Sequence, residues 1–175
     1  MTTSPSTARP PAQLILSTTE HFVAFGFGAG LSPWAPGTMG TLVAIPVFLA
    51  MSLMSPTVYA IAVAVLFIFG CWVCGESARL LGVHDYGGIV FDEIVGYLIA
   101  AAPLMLIEPA SVGACAVGVA AAFVLFRVFD ILKPWPIRWL DRRIHGGFGI
   151  MIDDVLAGVM AALLLWIALH FMRSM

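Results

Sequence analysis

Charge is what this chain has least of. Of 175 residues only 10% are Asp, Glu, Lys or Arg, against about 25% in an ordinary soluble domain. Hydrophobic residues make up 61%, and the mean hydropathy is +1.03. Ten acids and eight bases are too few to cover so apolar a chain in water. That excludes a soluble globular protein and makes the bilayer the solvent. Disorder is excluded as well, because it needs low hydrophobicity and high charge. There is no excess of positive charge: the net charge is −2 and the pI about 6.0, so the basic surface of a nucleic-acid partner is missing. Cysteine is scarce too. Cys71, Cys74 and Cys115 all lie in apolar runs, and an odd number without a secreted-scaffold spacing excludes a disulfide framework. The Cys71-x-x-Cys74 spacing reads as small residues packing between membrane helices. Residues 1–13 lack the basic start and apolar run of a signal peptide. They read as a flexible tail ahead of one helical membrane domain over 14–175.

Long apolar runs are what the chain does have. A helix crossing the hydrocarbon needs about 20 mostly apolar residues, and five stretches qualify: 38–54, 57–75, 89–107, 111–132 and 152–172. Pro46 predicts a kink in the first. Residues 14–30, moderately apolar but carrying Glu20 and His21, predict an amphipathic helix lying on the membrane surface. The expected fold is therefore all-α and polytopic, with about five transmembrane helices and a possible N-terminal interfacial helix. Orientation follows the positive-inside rule. The connection between the fourth and fifth spans holds Lys133, Arg138, Arg142 and Arg143 and is expected on the cytoplasmic side. Arg79 and Arg9 then fall on that side too, and only Arg173 falls outside.

With this orientation every acid within a span falls at a cytoplasmic helix end. Asp92 and Glu93 open the third span, Asp130 closes the fourth, and Asp153 and Asp154 open the fifth. Twelve of the eighteen charged residues lie in 85–93 and 127–154. Ionisable groups in membrane helices are costly and are usually functional or paired. Five carboxylates at one depth repel, so a divalent cation is expected, with Arg127 and Lys133 contributing. An all-oxygen set suits Mg²⁺, which takes one or two carboxylates plus waters and phosphate. Zinc fits poorly with the cysteines elsewhere and His84 and His145 isolated. Arg127, Asp130 and Lys133 recur every third residue and share one helix face. Asp92 and Glu93 point about 100° apart, as do Asp153 and Asp154, so one of each pair can face a metal. Gly96 and Gly158 each follow an acidic pair by about one turn.

The turn from Pro36 to Thr41 opens the first span, and a glycine turn at a helix N-terminus with Thr38 and Gly40 can cradle a phosphate. His84-Asp85 precedes the third span, where a histidine can exchange protons near neutral pH. The Lys133-Pro-Trp-Pro-Ile-Arg138 run places aromatic and basic groups at the depth of lipid heads. Three functions stay open on these residues: an interfacial enzyme on a phosphorylated lipid, a cation transporter or channel using the carboxylates, and a structural subunit. A transporter places its acids near the midplane, whereas these gather at one end.

The motifs of three lipid-phosphate families are absent: the Asp-x-Asp nucleophile of haloacid-dehalogenase phosphatases, the Pro-Ser-Gly-His core of type 2 phosphatidic acid phosphatases, and the spaced aspartates of CDP-alcohol phosphotransferases. Five other motifs stand in order from Phe22 to Gly158: Gly30-Leu-Ser-Pro-Trp-Ala-Pro-Gly-Thr-Met-Gly-Thr41, His84-Asp85, Asp92-Glu93-Ile-Val-Gly96, Phe126-Arg-Val-Phe-Asp-Ile-Leu-Lys-Pro-Trp-Pro-Ile-Arg138 and His145-Gly-Gly-Phe-Gly-Ile-Met-Ile-Asp-Asp154. Together they resemble the phosphatidylglycerophosphatase A family. The resemblance implies a Mg²⁺-dependent phosphatase of the bacterial inner membrane that converts phosphatidylglycerophosphate to phosphatidylglycerol at the cytoplasmic leaflet. On that reading Asp92, Glu93, Asp130, Asp153 and Asp154 are catalytic, and Asp92, Glu93, Asp130 and Asp154 are the metal set. Thr38, Gly40, Arg127, Lys133, Arg138, Arg143, His84 and Asp85 meet the substrate. Attack by a metal-activated water and attack by an aspartate nucleophile both remain open.

Overall fold

In hydrocarbon every backbone N–H and C=O must be satisfied within the protein, and for a single segment the helix does this. The computed structural model describes residues 10–83, 86–107, 111–141 and 143–173, and among the described residues there is no strand. The order is α1 (Ala12–Ser17), α2 (Thr19–Ala24), a 3-10 turn (Ala29–Leu31), α3 (Pro36–Met51), α4 (Pro56–Leu81), α5 (Phe91–Ala101) running into a 3-10 helix (Ala102–Leu106), α6 (Val112–Leu132), α7 (Ile137–Asp141) and α8 (Gly146–Arg173). Local chemistry sets the ends. Pro36 and Pro56 start α3 and α4, where no N–H is needed. Ser55 and Ser111 accept from Val58 N at 3.4 Å and Ala114 N at 3.1 Å as N-caps. α4 outlasts its apolar run through Glu76 and Arg79, which pair at 2.6 Å, and left-handed Gly82 then ends it.

Three helices are long and apolar enough to cross a membrane: Pro56–Leu81, Val112–Leu132 and Gly146–Met172. The other two expected spans are shorter. α3 has 16 residues and continues through Pro46, and α5 has 11. At 1.5 Å per residue α5 is about 16 Å long, against roughly 30 Å of hydrocarbon. It is the core of the bundle, with α3, α4, α6 and α8 packed around it. Val95, Tyr97, Leu98, Ala100 and Ala101 are fully buried. Tyr59 of α4 donates to Leu98 O at 2.6 Å, and Tyr97 of α5 donates to Val119 O of α6 at 3.3 Å. Both buried phenols thus find an acceptor and tie α5 to its neighbours.

The region 14–30 is not one surface helix. Thr18 is extended between α1 and α2, and Gly26, Phe27 and Gly28 take positive φ, which breaks the helix before the 3-10 turn. Ile15, His21, Ala24 and Phe25 are buried, while Leu14, Leu16, Phe22 and Phe27 are exposed. His21 Nδ1 shares a 2.8 Å hydrogen bond with Ser77 Oγ, which pins α2 against α4.

α5 and α8 make the most extensive helix contact, and two glycines allow it. A Cβ on Gly158 would collide with Gly96 O, and one on Gly96 would meet the Phe126 ring and Asp154 O. The paired glycines that follow the acidic pairs in the sequence are thus the crossing point of the two helices that carry those acids. Leu at Gly158 is expected to force the helices apart and to cost about 1–3 kcal/mol. The measure is the thermal midpoint of the purified protein in detergent. An unshifted midpoint would contradict the close crossing.

Candidate active site

The crossing brings the two acidic pairs together at one end of the bundle. Asp92 and Glu93 lie in the first turn of α5. Asp153 and Asp154 lie about 10 Å along α8, because the helix begins at Gly146, deeper than a start at residue 152 implies. Carboxylate oxygens of Asp92, Glu93 and Asp154 all lie within 4.8 Å of one another. The two pairs behave differently. Asp154 joins the cluster while Asp153 turns to Lys133, but Asp92 and Glu93 both reach it, and Asp92 also accepts from the Glu93 N–H at 3.1 Å. Asp130, from the last turn of α6, lines the same cavity of about 170 Å³.

Two cations divide the acids between them. The Arg127 guanidinium pairs with Asp130 at 2.5 Å and lies 4.0 Å from Glu93. It also donates to Thr41 Oγ1 at 3.5 Å, and Thr41 donates to Gly37 O at 2.9 Å. Gly37 is needed there, since a Cβ would occupy the place of Glu93 Oε1. Lys133 Nζ binds Asp153 at 2.5 Å and Asp141 at 3.5 Å. The expected single face of Arg127, Asp130 and Lys133 therefore holds only for the first two. Lys133 is the C-cap of α6 in a left-handed conformation, φ 39°, which L residues rarely adopt, and it leaves that face to reach α8. Burial by itself lowers the pKa of the Lys133 ammonium. The hydrogen bond and charge of Asp153, with Asp141 and Asp154, outweigh it and hold the pKa above its ordinary value. Lys133 is therefore protonated at neutral pH.

Two cations do not balance Asp92, Glu93, Asp130, Asp141, Asp153 and Asp154. Unit charges 4 Å apart interact by about 4 kcal/mol at an effective dielectric of 20, so the Asp92–Glu93–Asp154 cluster favours a shared proton or a further positive group. Glu93 Oε2 and Asp153 Oδ1 are buried with no hydrogen-bond partner among the described residues. This oxygen-only donor set fits a hard divalent cation. Cys74 instead packs in the core, 3.9 Å from Met151 Sδ.

The remaining expected residues fall elsewhere. Thr38 and Gly40 do not line the carboxylate cavity, and Gly40 packs on Val90 where no Cβ fits. Arg138 and Arg143 line an adjacent cavity of about 570 Å³ with Trp135 and Trp139, and Lys133 borders both cavities. The Arg143 guanidinium sits over the Trp139 ring, 4.3 Å from its centroid, and Arg138 donates to Leu132 O at 3.2 Å. His84 and Asp85 lie outside the described residues. One contributor escapes a reading of the spans: Asp141 is the lone acid in a basic run and belongs to no span. Thr41, which closes the Pro36–Thr41 turn, instead holds the Arg127 guanidinium.

The Lys133–Asp153 pair gives a double-mutant test. Lys133→Met alone leaves the buried Asp153 without its counter-charge and is expected to cost about 3 kcal/mol of stability. Adding Asp153→Asn should restore most of that loss in chemical denaturation. If the double variant is no more stable than the single one, the pair is not the contact that matters.

The family profile described as phosphatidylglycerophosphatase A matches residues 22–169. A protein of Escherichia coli (strain K12) named phosphatidylglycerophosphatase A is 45% identical over 91% of this chain and 88% of its own length. One of the same name from Haemophilus influenzae is 40% identical over 93% of this chain and 96% of its own. A relative from Bacteroides thetaiotaomicron, 38% identical over 83% of this chain and 91% of its own, carries the provisional name phosphatidylinositol-3-phosphatase. No solved structure matches. A profile match over most of the chain, covering α3 to α8 and all of the clustered carboxylates, makes this protein a member of the phosphatidylglycerophosphatase A family.

Proposed function

We propose that the protein hydrolyses the terminal phosphomonoester of phosphatidylglycerophosphate to give phosphatidylglycerol, in a Mg²⁺-dependent reaction at the cytoplasmic face of a bacterial inner membrane. The observation that carries the reading is the trio Asp92, Glu93 and Asp154, with oxygens within 4.8 Å, set beside Arg127 and Lys133 at one end of an apolar helical bundle. The names of the relatives from Escherichia coli and Haemophilus influenzae support the substrate. In this reading residues 14–175 act as one unit, and α3 and α5 with their flanking turns serve as the shorter of five membrane segments. The bases Lys133, Arg138, Arg142 and Arg143 support a cytoplasmic site by the positive-inside rule. Acids at one end of the bundle, without a file of them along it, speak against a cation pathway.

Each residue has a role in this scheme. Asp92, Glu93 and Asp154 would hold the metal, and Asp130 completes the set while fixing Arg127. Bound Mg²⁺ would polarise the phosphoryl oxygens and lower the pKa of a water. Arg127 and Lys133 meet the phosphate charge, and Lys133 exchanges part of its contact with Asp153 for the substrate. Asp153 Oδ1, buried and unpartnered among the described residues, accepts a proton within the cavity. Gly37 and Thr41 of α3 close the Arg127 side, and Thr38 follows Gly37 in the first turn. Arg138 and Arg143, in the neighbouring aromatic cavity, hold the second, diester phosphate, whose distance along the head group sets the choice of lipid.

Purified protein should release phosphate from phosphatidylglycerophosphate with Mg²⁺ and stop in EDTA, and Asp154→Asn should lower kcat by at least about 100-fold. Release that persists in EDTA or in the Asn variant would sink the metal assignment. Faster release from phosphatidylinositol-3-phosphate would replace the substrate. Cation flux in liposomes without phosphatase activity would replace the function. Arg143→Ala should raise KM for the two-phosphate lipid by about tenfold and leave kcat nearly unchanged.

A further inference from the structure

Among the described residues, Lys133 alone lines both the carboxylate cavity and the Trp135–Arg143 cavity. The place of its ammonium therefore bears on both phosphate positions of the scheme above. Little in Lys133 itself fixes that place. Its aliphatic stem is flexible, and it starts from a C-cap beyond the last turn of α6. Two carboxylates from two other helices hold it. Asp153 of α8 accepts a hydrogen bond at 2.5 Å, and Asp141 of α7 forms an ion pair at 3.5 Å. The two acids differ in setting: 11% of the Asp153 side chain is exposed, against 40% of Asp141. The fold of α7 turns Asp141 toward the cavity it lines. Ile137, four residues earlier and so on the same helix face, is fully buried, and α7 packs on α8. Arg138, next to Ile137, is directed instead to Leu132 O.

We infer, on the phosphatase reading above, that Asp141 is a positioning residue: it holds the Lys133 ammonium at the border of the two cavities, against full capture by Asp153, and so presents it to the phosphate. An ammonium has three N–H donors. One goes to Asp153, and the contact with Asp141 is too long for a full hydrogen bond, so donors remain for phosphate oxygens. Asp141 is otherwise a poor choice of residue here. It adds a negative charge to a cavity already rich in acids, and like charges repel an incoming phosphate. A bystander carboxylate and a positioning one therefore differ in sign. Removing a bystander lowers KM and leaves kcat alone. Removing a positioning residue lowers kcat, because the group that meets the phosphate is no longer fixed.

The test measures phosphate release from phosphatidylglycerophosphate by the full chain in detergent. Asp141→Asn should lower kcat by at least about tenfold, with KM unchanged or lower. Asp141→Glu, which keeps the charge, should recover kcat to within about threefold of the unmodified protein. In a Lys133→Met background, Asp141→Asn should alter the remaining kcat by less than about twofold, because a residue that acts through Lys133 then has nothing to hold. An unchanged kcat with a lower KM makes Asp141 a bystander and overturns the assignment. An equal loss in the Lys133→Met background overturns it as well. A kcat loss that follows a lowered thermal midpoint, and that Glu fails to recover, marks a structural role and does the same. Each of these results leaves the phosphatase reading in place. No phosphate release by the unmodified protein overturns both.

Discussion

Carboxylates gathered at the end of an apolar bundle are the constraint to which the rest of the structure answers. An ion taken out of water without a partner costs several kcal/mol, and this protein places Asp92, Glu93, Asp130, Asp153 and Asp154 in one small cavity. Arg127 and Lys133 offset part of that cost, each from a different direction. Arg127 works from within α6, with Thr41 and the first turn of α3 holding it in place. Lys133 works from beyond the end of α6, in a strained left-handed cap that lets it reach Asp153 and Asp141 together. The acids outnumber these two cations in the cavity, and their oxygens form a donor set of the kind a hard cation takes.

The cluster exists because two helices can approach closely. α5 is too short to wall the bundle and instead fills its centre, buried on all sides by α3, α4, α6 and α8. Its start, with Asp92 and Glu93, therefore lies inside the protein end. Gly96 and Gly158 remove the side chains that would separate α5 from α8. Packing and chemistry are joined here, since moving either helix outward by the width of one side chain would disperse the oxygens that now lie within 4.8 Å.

Around this polar end the molecule presents two surfaces of different character. The Trp135–Arg143 region supplies exposed indoles and guanidinium groups, with Arg143 over Trp139, suited to the head-group layer. The cleft between α3 and α6 is apolar. Lys133 borders both the carboxylate cavity and the Trp135–Arg143 cavity.

Much of this was legible in the sequence, for a physical reason. Membrane helices report themselves by composition, so α4, α6 and α8 follow from their apolar runs, and acids in such runs stand out because the bilayer penalises them. Arg127 with Asp130 follows from spacing on one helix face. Other features required the third dimension. That α5 is a short central helix is not visible in a continuous apolar stretch from 89 to 107, since full burial in protein and burial in lipid select the same residues. That residues 14–30 fold into two helices and a turn depended on the burial of Ile15 and on the fit of His21 against Ser77 of α4. That Lys133 abandons its helix face, that Asp141 joins the site, and that Gly40 serves packing while Gly37 borders Arg127 depended on distances across the bundle. Composition and periodicity determine which segments leave water and which charges they carry with them. Which of those charges touch was decided by the close packing of helices distant in sequence, because it is governed by ångström-scale contacts that no single helix encodes.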